Sequence, residues 1–157
     1  MVDNFNYLGT IFNYTGIFSL NQEHLAGKAL KALNIPMYKC KKNPLTPKTQ
    51  CQLFHCFVGS ILGYGSEIWG YTKSKEIERI HLTFLKRLLT STSTAGVYGE
   101  LGRFPLFINR YVRKIKYWCK ICNSDNILIK TMYKVGLDKC NNGCKNWFDN
   151  VKKLLCN

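Results

Sequence analysis

Five stretches of this sequence repeat apolar residues at the spacing of an α-helix, and this pattern strongly restricts the folds open to the chain. The first helix opens with a capping box at Ser19 and Gln22, and it should end before Pro36 because a proline interrupts the helical hydrogen bonds. The other four helices should begin at Thr46-Pro47, near Ser74, beyond Pro105 and near Trp147. The sequence therefore predicts a mainly α-helical fold.

The N-terminal segment does not follow the helical pattern. Residues 5–12 are rich in aromatic and β-branched side chains and residues 13–16 are a turn signal, so we expect a short β-hairpin that returns through Ile17 and Phe18. The small polar run at residues 90–96 indicates a loop or hinge. We therefore divide the chain into a hairpin at residues 1–18, a helical region at 19–95 and a basic helical region at 96–157.

The charge of the chain is unevenly distributed. Its 157 residues include 23 Lys+Arg and 9 Asp+Glu, which gives a formal net charge of +14. Residues 101–157 hold 12 basic and 3 acidic side chains, or +9, and no acidic residue occurs between Leu101 and Ser124. Such a local field favours a polyanion or an acidic surface as the partner.

Composition and the first residues also bear on the cellular location of the protein. A content of 46% hydrophobic and 13% aromatic residues is typical of a globular domain rather than of a disordered one. No apolar run approaches the roughly 20 residues that cross a bilayer, and the first residues do not resemble a signal peptide. We expect an intracellular protein without a membrane partner.

The fourth helix carries the clearest candidate binding surface. At about 100° per residue, its apolar side chains and its cations fall on different sides. The apolar side holds Ile108, Val112, Ile115, Cys119 and Cys122, and the basic side holds Arg110, Arg113, Lys114, Lys116 and Lys120, with Tyr117 among the cations. This arrangement suits a phosphate backbone and a stacked base, although a solvated amphipathic helix shows the same pattern.

Four of the cysteines have the loose spacing of a zinc site. They are Cys119, Cys122, Cys140 and Cys144. The first two fall on the apolar side of the fourth helix, and free cysteines are among the most buried residue types. We therefore favour core packing over zinc, and we expect no cofactor.

The sequence lacks the residues of a phosphoryl-transfer site. Two-metal chemistry needs clustered carboxylates, but the acidic residues are scattered and no Asp-Asp pair occurs. None of His24, His55 and His81 belongs to a metal-binding or catalytic motif, and a phosphate-binding glycine loop is also missing. We expect no enzymatic activity from this chain alone.

Several motifs occur in an order that resembles one known family. They are Tyr7-Leu8-Gly9-Thr10, Ile61-Leu62-x-Tyr64-Gly65-Ser66-Glu67-Ile68-Trp69-Gly70, Glu76-Ile77-Glu78-Arg79, Tyr98-Gly99-Glu100-Leu101-Gly102-Arg103-x-Pro105-Leu106, Lys116-Tyr117-Trp118 and Asn146-Trp147. Together they resemble the segment downstream of the palm in the reverse transcriptases of non-LTR (LINE-type) retrotransposons, which are RNA-directed DNA polymerases. The resemblance covers nearly the whole chain.

The resemblance implies a different role for each segment of the chain. Tyr7, Leu8 and Gly9 would form a primer-grip hairpin beside the primer terminus, the helices that follow would form a thumb around the template-primer duplex, and the rest would form a connection. The family's catalytic Tyr-x-Asp-Asp motif does not occur in this sequence. The resemblance therefore implies a truncated, catalytically inert fragment.

We expect such a fragment to retain non-specific contacts with the backbone of RNA, DNA or a hybrid duplex. Arg103 and the basic side of the fourth helix are the predicted phosphate contacts. The alternative is a non-catalytic protein-interaction or structural helical module. In that case the apolar side of the fourth helix would dock on a palm-containing reverse transcriptase segment or on another protein.

Overall fold

A computed structural model describes residues 3–42, 45–90 and 93–156. The described part is mostly helical and carries a short antiparallel β-hairpin near its N-terminal end, which confirms the predicted fold class. The strands are β1 (Asn4–Tyr7) and β2 (Thr10–Asn13). The helices are α1 (Ser19–Lys42), α2 (Pro47–Leu53), α3 (Ser60–Leu62), α4 (Ser66–Trp69), α5 (Lys75–Leu89), α6 (Thr94–Leu101), α7 (Leu106–Cys122), α8 (Ile127–Asn141) and α9 (Trp147–Cys156), with a π-helical turn at Phe54–Gly59 between α2 and α3.

The chain packs as two compact units. The first unit contains the described residues of 3–64 and 74–106, and the second contains those of 65–73 and 107–156. The first unit therefore holds the hairpin and helices α1, α2, α3, α5 and α6, and the second holds α4, α8, α9 and almost all of α7. The division into hairpin, thumb-like and connection-like regions concerns function and stays a prediction.

The hairpin turns earlier than the sequence pattern indicated. Leu8 and Gly9 form a two-residue turn in which both backbone φ angles are positive, at 48° and 81°. This is the type I′ geometry, whose twist matches that of two paired strands. Asn13 instead lies at the end of β2, where its carbonyl accepts a hydrogen bond from Gly16 N–H at 2.9 Å. The prediction that the chain turns back at residues 13–16 is therefore wrong.

Two predicted helix starts are confirmed by their caps. The Thr46 hydroxyl accepts a hydrogen bond from Thr49 N–H at 3.3 Å, and Pro47 occupies the first position of α2. The Ser74 hydroxyl accepts one from Ile77 N–H at 3.4 Å at the start of α5. These bonds satisfy amide groups that have no partner inside the helix.

Two predicted helix boundaries are wrong. Helix α1 continues through Pro36, because a proline removes one backbone hydrogen bond while the others continue the helix past it. Helix α6 begins inside the predicted loop at residues 90–96, since the Ser93 hydroxyl caps it by accepting from Gly96 N–H at 3.2 Å. Residues 91–92 of that loop lie outside the described residues.

The core of the first unit lies between α1, α5 and the segment from α2 to α3. Phe54 stacks on Phe84 of α5 with ring centroids 4.4 Å apart. The next buried residues after Phe54 are Val58 and Leu62, whereas Phe57, an apolar residue three positions after Phe54, is exposed. A π-helical turn holds more residues than an α-turn, so the core position falls four residues after Phe54 rather than three.

In the second unit, α8 and α9 pack closely at a glycine of α8. The ring of Phe148 lies against Gly136, at the place that a Cβ atom would occupy. The side-chain amide of Asn146 donates a hydrogen bond to the Gly136 carbonyl at 2.8 Å. Val151 of α9 and Trp69 of α4 are buried.

Candidate nucleic-acid interface

The first group of predicted contact residues lies at the tip of the hairpin in the first unit. Tyr7 and Leu8 are exposed. The Tyr64 hydroxyl donates a hydrogen bond to the Leu8 carbonyl at 2.6 Å, and a Cβ on Gly9 would lie 3.6 Å from the Tyr64 ring. The turn is thus held against Tyr64 and presents Tyr7 and Leu8 to solvent.

Arg103 also belongs to the first unit. It follows Gly102, which ends α6 in the left-handed conformation with φ 56°, and its N–H donates to the Tyr98 carbonyl at 3.0 Å. Its guanidinium Nη1 lies 2.9 Å from Nε2 of His55. The His55 ring therefore orients the Arg103 side chain, which is partly exposed.

The other predicted contacts lie on α7 in the second unit, and four of them share an exposed face. Arg113, Lys116, Tyr117 and Lys120 are all exposed and fall within about 100° of one another around the helix axis. We call these four residues the α7 cationic face. Tyr117 is 41% exposed, and its ring forms an edge-to-face pair with the ring of Trp147 at a centroid distance of 5.9 Å.

Arg110 and Lys114 do not belong to that face, and the prediction that they are exposed is wrong. Arg110 is 2% exposed and Lys114 is 0% exposed. The guanidinium carbon of Arg110 lies 5.8 Å from the Trp69 ring centroid. The buried side of α7 is thus rotated from the predicted apolar side, because aromatic rings from other segments of the chain attract and cover the cations.

Lys114 is enclosed by aromatic rings. Its Nζ lies 4.7 Å from the ring centroid of Tyr71 and 5.6 Å from that of Trp147. Among the described residues, this nitrogen has no hydrogen-bond acceptor. Burial lowers the pKa of Lys114 from 10.5 to about 8, because an ammonium loses its hydration when it leaves water.

Trp147 contacts Lys114 and also other segments of the second unit. The sequence did not indicate it as a site residue. Its indole N–H donates to the Glu67 carbonyl at 2.9 Å, and its ring meets that of Phe148 at 5.2 Å. Tyr71 also contacts Lys114, and burial raises the pKa of Tyr71. Tyr71 and Trp147 each belong to an aromatic cluster in the sequence. Because the two residues are far apart along the chain, the sequence did not indicate that both contact Lys114.

The four candidate zinc ligands are not buried in a core. Cys119, Cys122 and Cys144 are exposed, and Cys140 is half-buried, so the core-packing interpretation is wrong. The exposure of Cys119 and Cys122 follows from the rotation of α7. Within residues 3–42, 45–90 and 93–156, no three His, Cys, Asp or Glu side chains come together as a metal site.

Comparisons with known proteins identify no relative. No family model matches the chain, and no curated protein or solved structure matches it. The likeness to LINE-type reverse transcriptases therefore rests on the sequence motifs given above. Across the described helices, none combines the length and the apolarity that crossing a membrane requires.

Proposed function

We propose that this chain is an intracellular module that binds nucleic-acid backbones without reading their sequence, and that it resembles the thumb and connection of a LINE-type reverse transcriptase. The observation that carries the proposal is the α7 cationic face, which groups three exposed cations around an exposed tyrosine. Its partner is RNA, DNA or a hybrid duplex. The chain performs no polymerase chemistry of its own.

The spacing of the α7 cationic face suits a phosphate backbone. Arg113, Lys116 and Lys120 follow one another at intervals of three and four residues, so they lie about 4.5 and 6 Å apart along the helix axis. Cations at such intervals contact successive phosphates, which position a nucleic acid without specifying its bases. The part of the Tyr117 ring that Trp147 does not cover is available to an unpaired base at a strand end.

The first test measures binding of a labelled RNA–DNA hybrid duplex by fluorescence anisotropy at low salt. The variant Arg113→Glu/Lys116→Glu/Lys120→Glu should bind at least roughly tenfold more weakly than the wild type, because phosphate contacts are replaced by repulsion. The matched control is Lys134→Glu/Lys139→Glu/Lys152→Glu, which reverses three exposed charges elsewhere in the same unit. Equal losses in the two variants would show that net charge alone drives binding and would contradict the proposal.

The second test concerns catalysis. Incubation with primer-template, deoxynucleotides and Mg²⁺ should give no primer extension, because the sequence has no Asp-Asp pair to hold two metal ions. Extension that is lost on chelation would show that the chain forms a polymerase site by itself. A polymerase with an intact palm serves as the positive control for the assay.

A protein-interaction module is the second candidate function, and the surface of α8 favours it. Leu128, Met132 and Val135 are 74%, 72% and 48% exposed and lie on one side of this helix. An exposed apolar stripe of this kind is typical of an interaction site. Analytical ultracentrifugation tests this function, since Met132→Lys should abolish any self-association or complex that buries the stripe.

A further inference from the structure

A groove runs between α1 and α5 in the first unit, and none of the residues that the sequence singled out as contacts lines it. It encloses about 520 Å³, which lies within the range of cavities that bind small molecules. From α1 it is lined by Ala26, Gly27 and Leu30. From α5 it is lined by Lys75, Glu76, Arg79, Ile80, Thr83 and Arg87.

The groove is open because two of the α1 residues that line it, Ala26 and Gly27, are small. Ala26 is buried, and Gly27 is exposed with no side chain to fill the space. A Cβ atom built on Gly27 meets no other atom within 4 Å, which shows that the space beside it is open. Leu30 is 44% exposed, one turn further along α1. The α1 wall is therefore apolar and shallow.

The α5 wall is cationic and has a regular repeat. Lys75, Arg79, Thr83 and Arg87 follow at intervals of four residues, or about 6 Å along the helix. The lining holds three cations and one carboxylate, a net charge of +2. That carboxylate, Glu76, already accepts a hydrogen bond from the Ser74 hydroxyl at 3.1 Å. The groove therefore attracts an elongated anion that also has an apolar face.

We propose that this groove binds a short single-stranded segment of nucleic acid, with its phosphates along the α5 cations and a sugar or base against Ala26, Gly27 and Leu30. A phosphodiester chain repeats its charge at every nucleotide, which matches the repeated cations of α5. The axes of packed helices lie about 8–10 Å apart, a width that fits one strand better than a duplex. The inference rests on the proposed function and adds a single-strand site to it, distinct from the α7 cationic face.

The test uses the full chain and 5′-fluorescein-labelled hexathymidylate, with binding measured by anisotropy at low salt. Gly27→Leu fills the groove without changing charge, and it should weaken binding about tenfold. Its matched control is Gly99→Leu on α6, another exposed helical glycine whose Cβ would meet no atom within 4 Å. The control should bind within about twofold of the wild type.

A second pair of variants tests the charge of the groove. Arg79→Glu should also weaken hexathymidylate binding about tenfold, whereas Lys31→Glu, an exposed charge on α1 outside the groove, should have a small effect. Far-ultraviolet circular dichroism melts establish that each variant is folded. If Gly27→Leu unfolds the protein, Arg79→Glu and its control decide the question.

The outcomes separate this inference from the proposed function. Absence of hexathymidylate binding, or equal binding by the groove variants and their controls, overturns the groove site. The hybrid-duplex titration of the α7 variant is a separate measurement, because the three α7 residues that it changes do not line the groove. Loss of duplex binding in that variant together with unchanged hexathymidylate binding in Gly27→Leu would support the proposed function and overturn the groove.

Discussion

At the scale of single residues, Lys114 is the most unusual group in the chain. It is fully buried, and its ammonium is stabilised by the faces of Tyr71 and Trp147. A cation over an aromatic face gains roughly 1–2 kcal/mol when it is desolvated, which offsets only part of the hydration that a buried ammonium loses. Lys114 therefore lowers the free energy of unfolding while it is charged.

This charge predicts a specific dependence of stability on pH. The pKa of Lys114 is about 8 in the folded chain and 10.5 when it is exposed, so between these values the unfolded chain binds more protons. The free energy of unfolding therefore rises with pH in this window, by up to about 3 kcal/mol. The pKa of each of Tyr71, Tyr98 and Tyr133 is raised, and these groups work in the opposite direction above the ordinary value of 10.0, so the rise is clearest between pH 8 and pH 10.

The variant Lys114→Met tests this assignment. It should unfold at higher urea concentration than the wild type at pH 7, by about 1 kcal/mol or more, and the rise between pH 8 and pH 10 should disappear. Lys116→Met, which removes an exposed charge two residues away, should keep the rise. The same rise in Lys114→Met as in the wild type would mean that another group causes it.

Hydrophobicity alone could not have predicted the burial of Arg110 and Lys114. A helical pattern assigns the apolar side chains to the core and the cations to solvent, and on α7 this assignment failed. The aromatic residues that cover these cations, Trp69 and Trp147, come from segments far apart in sequence. Arg113, Lys116 and Lys120 were predicted on the solvent side of the helix and are exposed.

At the scale of helices, glycine decides how closely α8 and α9 approach. Gly136→Ala should lower the free energy of unfolding by about 1–3 kcal/mol, because the added methyl group collides with the Phe148 ring. This loss outweighs the gain of up to about 1 kcal/mol that alanine brings to a helix. Gly99→Ala on α6, where the added methyl meets no atom within 4 Å, should instead raise stability. Thermal unfolding followed by circular dichroism gives both values, and a stabilised Gly136→Ala would contradict the packing of α8 on α9.

Helix ends were predictable where a single side chain forms the cap, as at Thr46 and Ser74. The register inside the segment from α2 to α3 was not predictable, because a π-helical turn shifts the core position from Phe57 to Val58 and has no signature in the apolar pattern. Helix α8 was missed although Leu128, Met132 and Val135 have the spacing of a helical face, and none of the residues of α8 is buried.

At the scale of the whole molecule, the net charge of +14 is not the quantity that sets binding. Counterion release depends on the phosphates that are neutralised in the complex, and charges far from the contact are screened. Of the five α7 cations in the predicted contact set, two are buried and three are exposed. The structure thus lowers the number of phosphate contacts that α7 can supply to three.

The salt dependence of duplex binding measures that number directly. If Arg113, Lys116 and Lys120 each neutralise one phosphate, the logarithm of the association constant should fall with the logarithm of salt concentration with a slope of about −2.7. Each single change to alanine should reduce the magnitude of the slope by about 0.9, whereas Lys134→Ala on α8 should leave it unchanged. A steeper slope that no α7 substitution alters would contradict this prediction. It would mean that the α7 cations do not neutralise phosphates and that the phosphate contacts lie elsewhere on the chain.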